Sequence, residues 1–142
     1  MNIDKKYYQE INENLTNTIQ DTNIDAPNKK TGKVRDAYFL DDRVVMISTD
    51  RQSAFDRVLA AIPYKGAVLN SVSAWWFTKT ENLFPNHLIS TPDPNVSIVE
   101  KCDVFQVEFV VRGYITGTTD TSLWTVYNRG DREYCGNVLP EG

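Results

Sequence analysis

The stretch Val34-Arg35-Asp36-Ala37-Tyr38-Phe39-Leu40, followed by Asp41-Asp42 and then Arg43-Val44-Val45-Met46-Ile47-Ser48, decides the fold. Both flanks read as strands, and Asp41-Asp42 is a turn signal. Two strands joined by so short a link form a hairpin and pair antiparallel. Working outward, Arg57 to Ile62 reads as a third strand before Pro63. Ser97 to Cys102 and Val104 to Arg112 read as two more, broken near Asp103. Ile3, Tyr7, Tyr8, Ile11 and Leu15 fall at helical spacing and predict a short amphipathic helix over 3–18. Val68, Leu69, Val72, Trp75, Trp76 and Lys79 recur every three or four residues and predict a second helix opening at Lys65-Gly66. The Trp pair is expected in the core, with stacking on a ligand as the alternative. Asp21 to Lys30, with Pro27, reads as a loop. Leu83 to Pro94 reads as turn-rich, and Gly136 to Gly142 as loop-like. Asp120 or Thr121 is the expected cap of a helix running to about Tyr127. The architecture expected is α+β: a twisted antiparallel sheet of about five strands with flanking helices.

Composition sets the outer limits. In 142 residues, 41% are hydrophobic and 24% charged, the balance of a globular chain with one real core. Fifteen Lys+Arg against nineteen Asp+Glu give a net charge of -4. Binding along a phosphate backbone needs a cationic surplus, so nucleic acid is not an expected partner. A local basic pocket for one small phosphate stays open. Cys102 and Cys135 are read as two reduced thiols. There is no CxxC, and His87 is the one histidine, so a zinc site is not expected. No stretch approaches the ~18 apolar residues of a membrane span, and the start of the chain lacks an apolar signal core. The expected compartment is the cytoplasm, with no membrane partner.

Three segments can carry chemistry. In Thr31-Gly32-Lys33-Val34-Arg35-Asp36, a glycine at a strand entrance lets the backbone approach a ligand. Lys33 and Arg35 alternate and share one face, which suits a polyphosphate. An ordinary hairpin with exposed charges is the competing reading. The second segment, Ser48-Thr49-Asp50-Arg51-Gln52-Ser53-Ala54-Phe55-Asp56, gathers three hydroxyls, two carboxylates and a guanidinium. It can bind a polar substrate, or it can be a capped turn. Asp50 and Asp56 are conceivable amine or metal ligands. The third runs from Val104 to Thr118. An apolar strand delivers Arg112, and Gly113-Tyr114-Ile115-Thr116-Gly117-Thr118 follows. Arg112 can fork onto a phosphate, with Thr118 and nearby N–H groups completing the cradle.

From about Gly32 to Gly142 the chain resembles the SAICAR synthetase family. The resemblance rests on Gly32-Lys33-Val34-Arg35-Asp36, on Thr49 to Asp56, on Lys65-Gly66-Ala67-Val68-Leu69, on Asn86-His87-Leu88, and on Val107 to Gly117, in family order. It implies ATP-dependent joining of L-aspartate to carboxyaminoimidazole ribonucleotide (CAIR), giving SAICAR, ADP and phosphate in purine biosynthesis. It also implies a nucleotide-binding lobe like the small lobe of protein kinases. Under the resemblance, Gly32, Lys33, Val34 and Arg35 belong to the loop over the ATP phosphates. Val104 and Phe105 match the connection facing adenine, and Lys101 matches a lysine near that base. Arg112 and Thr118 match the pair on the ribonucleotide phosphate. Asp50, Ser53 and Asp56 match the loop around the imidazole carboxylate and aspartate. No catalytic Cys or His is implied. Gln106 stands where the family usually has Pro, and Thr118 where it usually has Ser; a strand accepts the first, and the second keeps its hydroxyl.

The family's Asp-x-Lys-x-Glu-Phe-Gly motif, whose carboxylates hold Mg²⁺, does not occur in these 142 residues. The expected organisation is an N-terminal helix and linker over 1–30, an ATP-binding antiparallel lobe over 31–111, and the start of a substrate-binding domain over 112–142. The chain is thus expected to be the N-terminal part of the enzyme and inactive alone. The competing readings are a non-catalytic nucleotide-binding module and a protein-interaction domain using the Trp-rich helix.

Overall fold

The computed structural model describes residues 5–55, 57–107, 109, 111 and 113–141. The chain divides into two compact units, Met1–Asp103 and Val104–Gly142. The first is built on a five-stranded antiparallel sheet in the order β1-β2-β3-β7-β6. Its strands are β1 (Lys29–Thr31), β2 (Arg35–Phe39), β3 (Arg43–Ser48), β6 (Leu88–Asp93) and β7 (Val96–Glu100). The expected hairpin is β2–β3: Phe39 faces Val44, and the Leu40 N–H donates to the Arg43 carbonyl at 2.9 Å. A separate ribbon, β4 (Arg51–Ala54) with β5 (Arg57–Ala61), and the helix α2 (Lys65–Thr80) lie between β3 and β6 in sequence.

Three strands appear where loops were expected. β1 falls at the end of the 21–30 loop. β4 falls in the hydroxyl-rich segment. β6 contains Pro92, which the sheet accepts because β6 is an edge strand and its register slips between Ser90 and Asp93. Conversely, the expected strand Val104 to Arg112 is not formed among its described residues. A strand exists through a hydrogen-bonded neighbour rather than through apolar content, and the described residues of this stretch pair with no strand. Glu108, Val110 and Arg112 lie outside the described residues.

The first helix, α1 (Lys5–Glu13), is shorter than the 3–18 span. Asn14 Nδ2 donates to the Glu10 carbonyl at 2.9 Å, and the Asn17 N–H turns back onto the Asn14 carbonyl at 3.0 Å. Such local asparagine bonds compete with the helical ladder and end it. Residues 17–22 then run as a strap onto the sheet.

The helix α2 meets its prediction in extent but not in orientation. Asn70, Ser73 and Phe77 line a small cavity of about 70 Å³ with Met46 and Ser97 of the sheet. Asn70 and Gly66 are the buried residues of this helix. Val68, Leu69, Val72, Trp75 and Trp76 consequently lie on its outer side. Trp75 is 52% and Trp76 57% exposed, so the Trp pair is not in the core of this chain. The physical reason is what binds the helix to the sheet. Asn70 Nδ2 donates to the Pro94 carbonyl at 3.0 Å, and Asn70 Oδ1 accepts from Ser97 Oγ at 2.8 Å. At Gly66 an added Cβ would sit 2.2 Å from the Ser48 carbonyl oxygen. A polar amide and a missing side chain, not the apolar stripe, face inward. Among the described residues of this unit, four apolar residues are buried, Tyr38, Val44, Ile47 and Val99, against eight buried polar or charged ones. The interior of the first unit is therefore organised by hydrogen bonds as much as by apolar packing.

In the second unit, α3 (Leu123–Asn128) is capped by Ser122, whose Oγ accepts from the Thr125 N–H at 3.3 Å. The cap is thus one residue beyond the expected Asp120 or Thr121. A small ribbon, β8 (Glu133–Tyr134) with β9 (Asn137–Val138), turns through Cys135 and Gly136 at φ 48 and 75. Both cysteines are free and exposed.

Candidate functional site

The turn between β1 and β2 is the first element to build. The Gly32 N–H donates to the Arg35 carbonyl at 2.8 Å, and a Cβ on Gly32 would meet that same oxygen at 2.8 Å. Glycine is required here by close approach. Lys33 and Arg35 are exposed on either side of Val34, so the turn carries cationic side chains outward.

Beneath the turn lies a buried polar cluster. Asp36 is fully buried and Arg51 is 7% exposed. One guanidinium serves four acceptors. Arg51 Nη2 reaches Asp36 Oδ1 at 2.6 Å and the Gly32 carbonyl at 3.0 Å. Its Nε reaches the Lys33 carbonyl at 3.2 Å, and its Nη1 the Gln20 carbonyl at 2.6 Å. The other oxygen of Asp36 accepts from Thr22 Oγ1 at 2.7 Å and lies 3.4 Å from Lys29 Nζ. The Tyr38 hydroxyl donates to the Thr22 carbonyl at 2.8 Å. Burial alone pushes the Asp36 carboxyl up. Hydrogen bonds from Arg51 and Thr22, with the charges of Arg51 and Lys29, outweigh it and hold the group below the ordinary carboxylate range. Next along the sheet, Thr49 donates to the Val34 carbonyl from both its N–H at 3.0 Å and its hydroxyl at 2.8 Å.

Asp50 is 3% exposed, and both its oxygens are engaged by the main chain. Oδ2 accepts from the Ile19 N–H at 2.8 Å and Oδ1 from the Gly66 N–H at 2.9 Å. Tyr64, at the N-cap of α2, has φ 63 and offers no side-chain cap. Asp50 supplies that cap from a distance and places a negative charge at the helix start.

The remaining expected residues are dispersed. Ser53 is half-buried on β4, beside the register shift between Gln52 and Ser53, where a bulge re-aims side chains. Phe55, at the tip of that ribbon, has φ 51 and is 94% exposed. Asp56 and Arg112 lie outside the described residues. Lys101 follows β7, at the end of the sheet opposite the Gly32 turn, with its N–H on the Asp42 carbonyl at 3.2 Å. Val104, Phe105 and Thr118 belong to the second unit and are exposed there. Thr118 lies in a hollow of about 640 Å³ lined by Gly113 to Thr119, Ser122 and Leu123. Gly117, at φ +130, is required in that wall, since a Cβ would come within 2.4 Å of Ser122 Cβ.

The structure therefore brings Gly32, Lys33, Val34 and Arg35 together on one turn and adds Arg51, Thr49 and Thr22 beneath it. Those three did not stand out as site residues in the sequence; the only signal was Arg51 and Thr49 sitting inside the hydroxyl-rich segment. Among the described residues no group of three or more His, Cys, Asp or Glu side chains could hold a metal ion.

A family model described as SAICAR synthetase matches residues 28–135. The chain belongs to the SAICAR synthetase family. The phosphoribosylaminoimidazole-succinocarboxamide synthase of Legionella pneumophila (strain Lens) is 59% identical over 124 residues, covering 87% of this chain and 40% of that protein. The chloroplastic synthase of Vigna aconitifolia is 56% identical over 133 residues, covering 90% and 39%. The SAICAR synthase of Saccharomyces cerevisiae, solved with SAICAR, superposes with TM-score 0.75 at 31% identity, over 87% of this chain and 48% of that one. A type-2 SAICAR synthetase solved with ADP gives TM-score 0.59 at 27% identity, over 80% and 47%. The chain spans about 40% of the length of these curated family members. The mixed helix and antiparallel sheet is the family's fold. No helix among the described residues is long and apolar enough to cross a membrane. Since a family member is chloroplastic, the family is not confined to one compartment.

Proposed function

We propose that this chain supplies the ATP-binding part of a SAICAR synthetase, which joins L-aspartate to CAIR with ATP in purine biosynthesis, and that it works in the cytoplasm. A carboxylate is a poor electrophile. Transfer of the γ-phosphoryl group from ATP to the CAIR carboxylate gives an acyl phosphate and ADP. The aspartate amine then attacks the acyl carbon and loses a proton, and phosphate leaves. Positioning and charge neutralisation carry such chemistry, with no protein nucleophile.

The single observation that carries the nucleotide reading is the Gly32–Arg35 turn. It is a glycine-bearing turn with cations outside, buttressed from below by a buried guanidinium. The ADP bound to the type-2 synthetase supports the same class of ligand. On the family pattern, Lys101, Val104 and Phe105 are assigned to the base. Arg112 and Thr118 are assigned to the CAIR phosphate, and Ser53 and Asp56 to the imidazole carboxylate and aspartate. Asp50 joins that group as the residue tying the segment to α2. Mg²⁺, which the family resemblance implies, is assigned no ligand among the described residues.

Calorimetric titration of the folded chain with ATP tests the reading. Saturable heat is expected, together with no turnover of CAIR and aspartate by these 142 residues alone. No heat at millimolar ATP in a folded sample overturns the nucleotide assignment.

A further inference from the structure

We infer that Arg51 is a positioning residue: by turning the Gly32 and Lys33 carbonyls inward, its buried guanidinium aims the N–H groups of Lys33 and Val34 at the phosphates of ATP. The inference rests on the nucleotide reading proposed above and adds to it the element that shapes the turn.

Peptide geometry supplies the reason. The described peptide bonds are trans, and in a planar trans peptide the C=O of one residue and the N–H of the next point in opposite directions. Arg51 fixes both carbonyls: Nη2 is 3.0 Å from the Gly32 oxygen and Nε 3.2 Å from the Lys33 oxygen. The following N–H groups, those of Lys33 and Val34, therefore point away from the guanidinium. Successive N–H groups turned to one side form a concavity for an anionic oxygen. Thr49 fixes the exit of the turn by donating twice to the Val34 carbonyl.

Arg51 itself is not a phosphate ligand. It is 7% exposed, and its fixed fork is taken up by Asp36, Gln20, Gly32 and Lys33. Asp36 accepts from the same Nη2 that holds the Gly32 carbonyl, and the Gln20 carbonyl ties the fork to the strap. Lysine at this position keeps the positive charge beside Asp36. It has one ammonium in place of the planar fork and cannot hold two successive carbonyls together with Asp36 and Gln20.

The test is a titration of ¹⁵N-labelled chain with ATP and, separately, with adenosine. In the parent chain, Lys33 and Val34 amide signals move with ATP and not with adenosine. In Arg51→Lys, ATP affinity is expected to fall about ten-fold. Adenosine affinity changes less than about two-fold, because the base is not read by the turn. Thr49→Val removes one hydroxyl bond at the exit and is the variant to use if Arg51→Lys does not fold. It should lose ATP affinity about two- to three-fold with adenosine unchanged. Dispersed amide signals from Tyr38 and Ile47 certify the fold of each variant. A folded Arg51→Lys with unchanged ATP affinity overturns the inference, and so does an equal loss for both ligands, which marks a merely structural role. A parent chain whose turn amides ignore ATP overturns the nucleotide reading as well, so the two failures are distinguishable.

Discussion

Replacing Asp36 by asparagine keeps the shape of the side chain and removes its charge. The new amide would still accept from Arg51 through its oxygen and would face Thr22 with its nitrogen. What is lost is the carboxylate that lies 2.6 Å from Arg51 Nη2 and 3.4 Å from Lys29 Nζ. Breaking a buried ion pair by removing one partner costs roughly 3–5 kcal/mol. Arg51 keeps three carbonyl acceptors, so the low end applies, about 3 kcal/mol. Against a total stability of roughly 5–15 kcal/mol this is a large fraction. Urea unfolding followed on the amides of β2 and β3 reads the first unit alone. With a slope of about 2 kcal/mol per molar, the midpoint should drop by about 1.5 M at neutral pH. The pH dependence has a definite sign. The folded carboxyl lies below its ordinary value of 3.8, so its contribution is present above that value and is lost as pH falls through the folded one. The gap between parent and variant should hold from neutral pH to about 5, begin to narrow near about 4 and close only below the folded value. A gap under about 1 kcal/mol at neutral pH, or one that stays open in acid, would refute the claim that this ion pair anchors the sheet.

The packing sets three further outcomes. Gly66→Ala drives a Cβ to within 2.2 Å of the Ser48 oxygen and 2.5 Å of Asn95 Nδ2, and should cost about 2 kcal/mol, read as a thermal midpoint lowered by roughly 10 °C. Asn70→Leu strips partners from the Pro94 carbonyl and Ser97 Oγ and should cost about 2 kcal/mol in urea, despite the added apolar surface. Trp75→Ala should cost no more than about 1 kcal/mol, where a core Trp would cost about 3–5, and Trp75 and Trp76 emission should be readily quenched by acrylamide.

The parts of the fold legible in the sequence are those fixed by near neighbours. The β2–β3 hairpin is one, because Phe39 and Val44 meet across a turn announced by its own residues. The extent of α2 is another, since its period of three to four is local. Its orientation was not legible. Periodicity reports that Val68, Val72 and Trp75 share a side, but not which side the sheet will take, and here the sheet takes the side with Gly66 and Asn70. β1 escaped for a different reason. Lys29-Lys30-Thr31 has no apolar alternation and pairs through its main chain as an edge strand, where lysine is usual. The reverse case is the strand read into Val104 to Arg112, which its described residues do not form; that reading counts β-formers without asking what lies alongside.

The same distinction governs the site. The Gly32 turn is legible because a glycine at the entrance to a strand has a local cause. Asp50 and Arg51 are not, because in sequence a carboxylate beside a guanidinium among hydroxyls looks like a surface for ligands, while their partners are remote. Asp50 reaches Ile19 and Gly66, and Arg51 reaches Gln20, Gly32 and Asp36. The two adjacent side chains divide the work by charge. The carboxylate collects N–H groups and the guanidinium collects carbonyls, and both take hold of the strap, one at Ile19 and the other at Gln20. One strap therefore connects the start of α2 to the Gly32 turn. Loosening either grip should loosen the other, so Asp50 and Arg51 substitutions are expected to be non-additive, as residues of one hydrogen-bonded network are. That coupling gives the turn its shape from residues that need never touch a ligand.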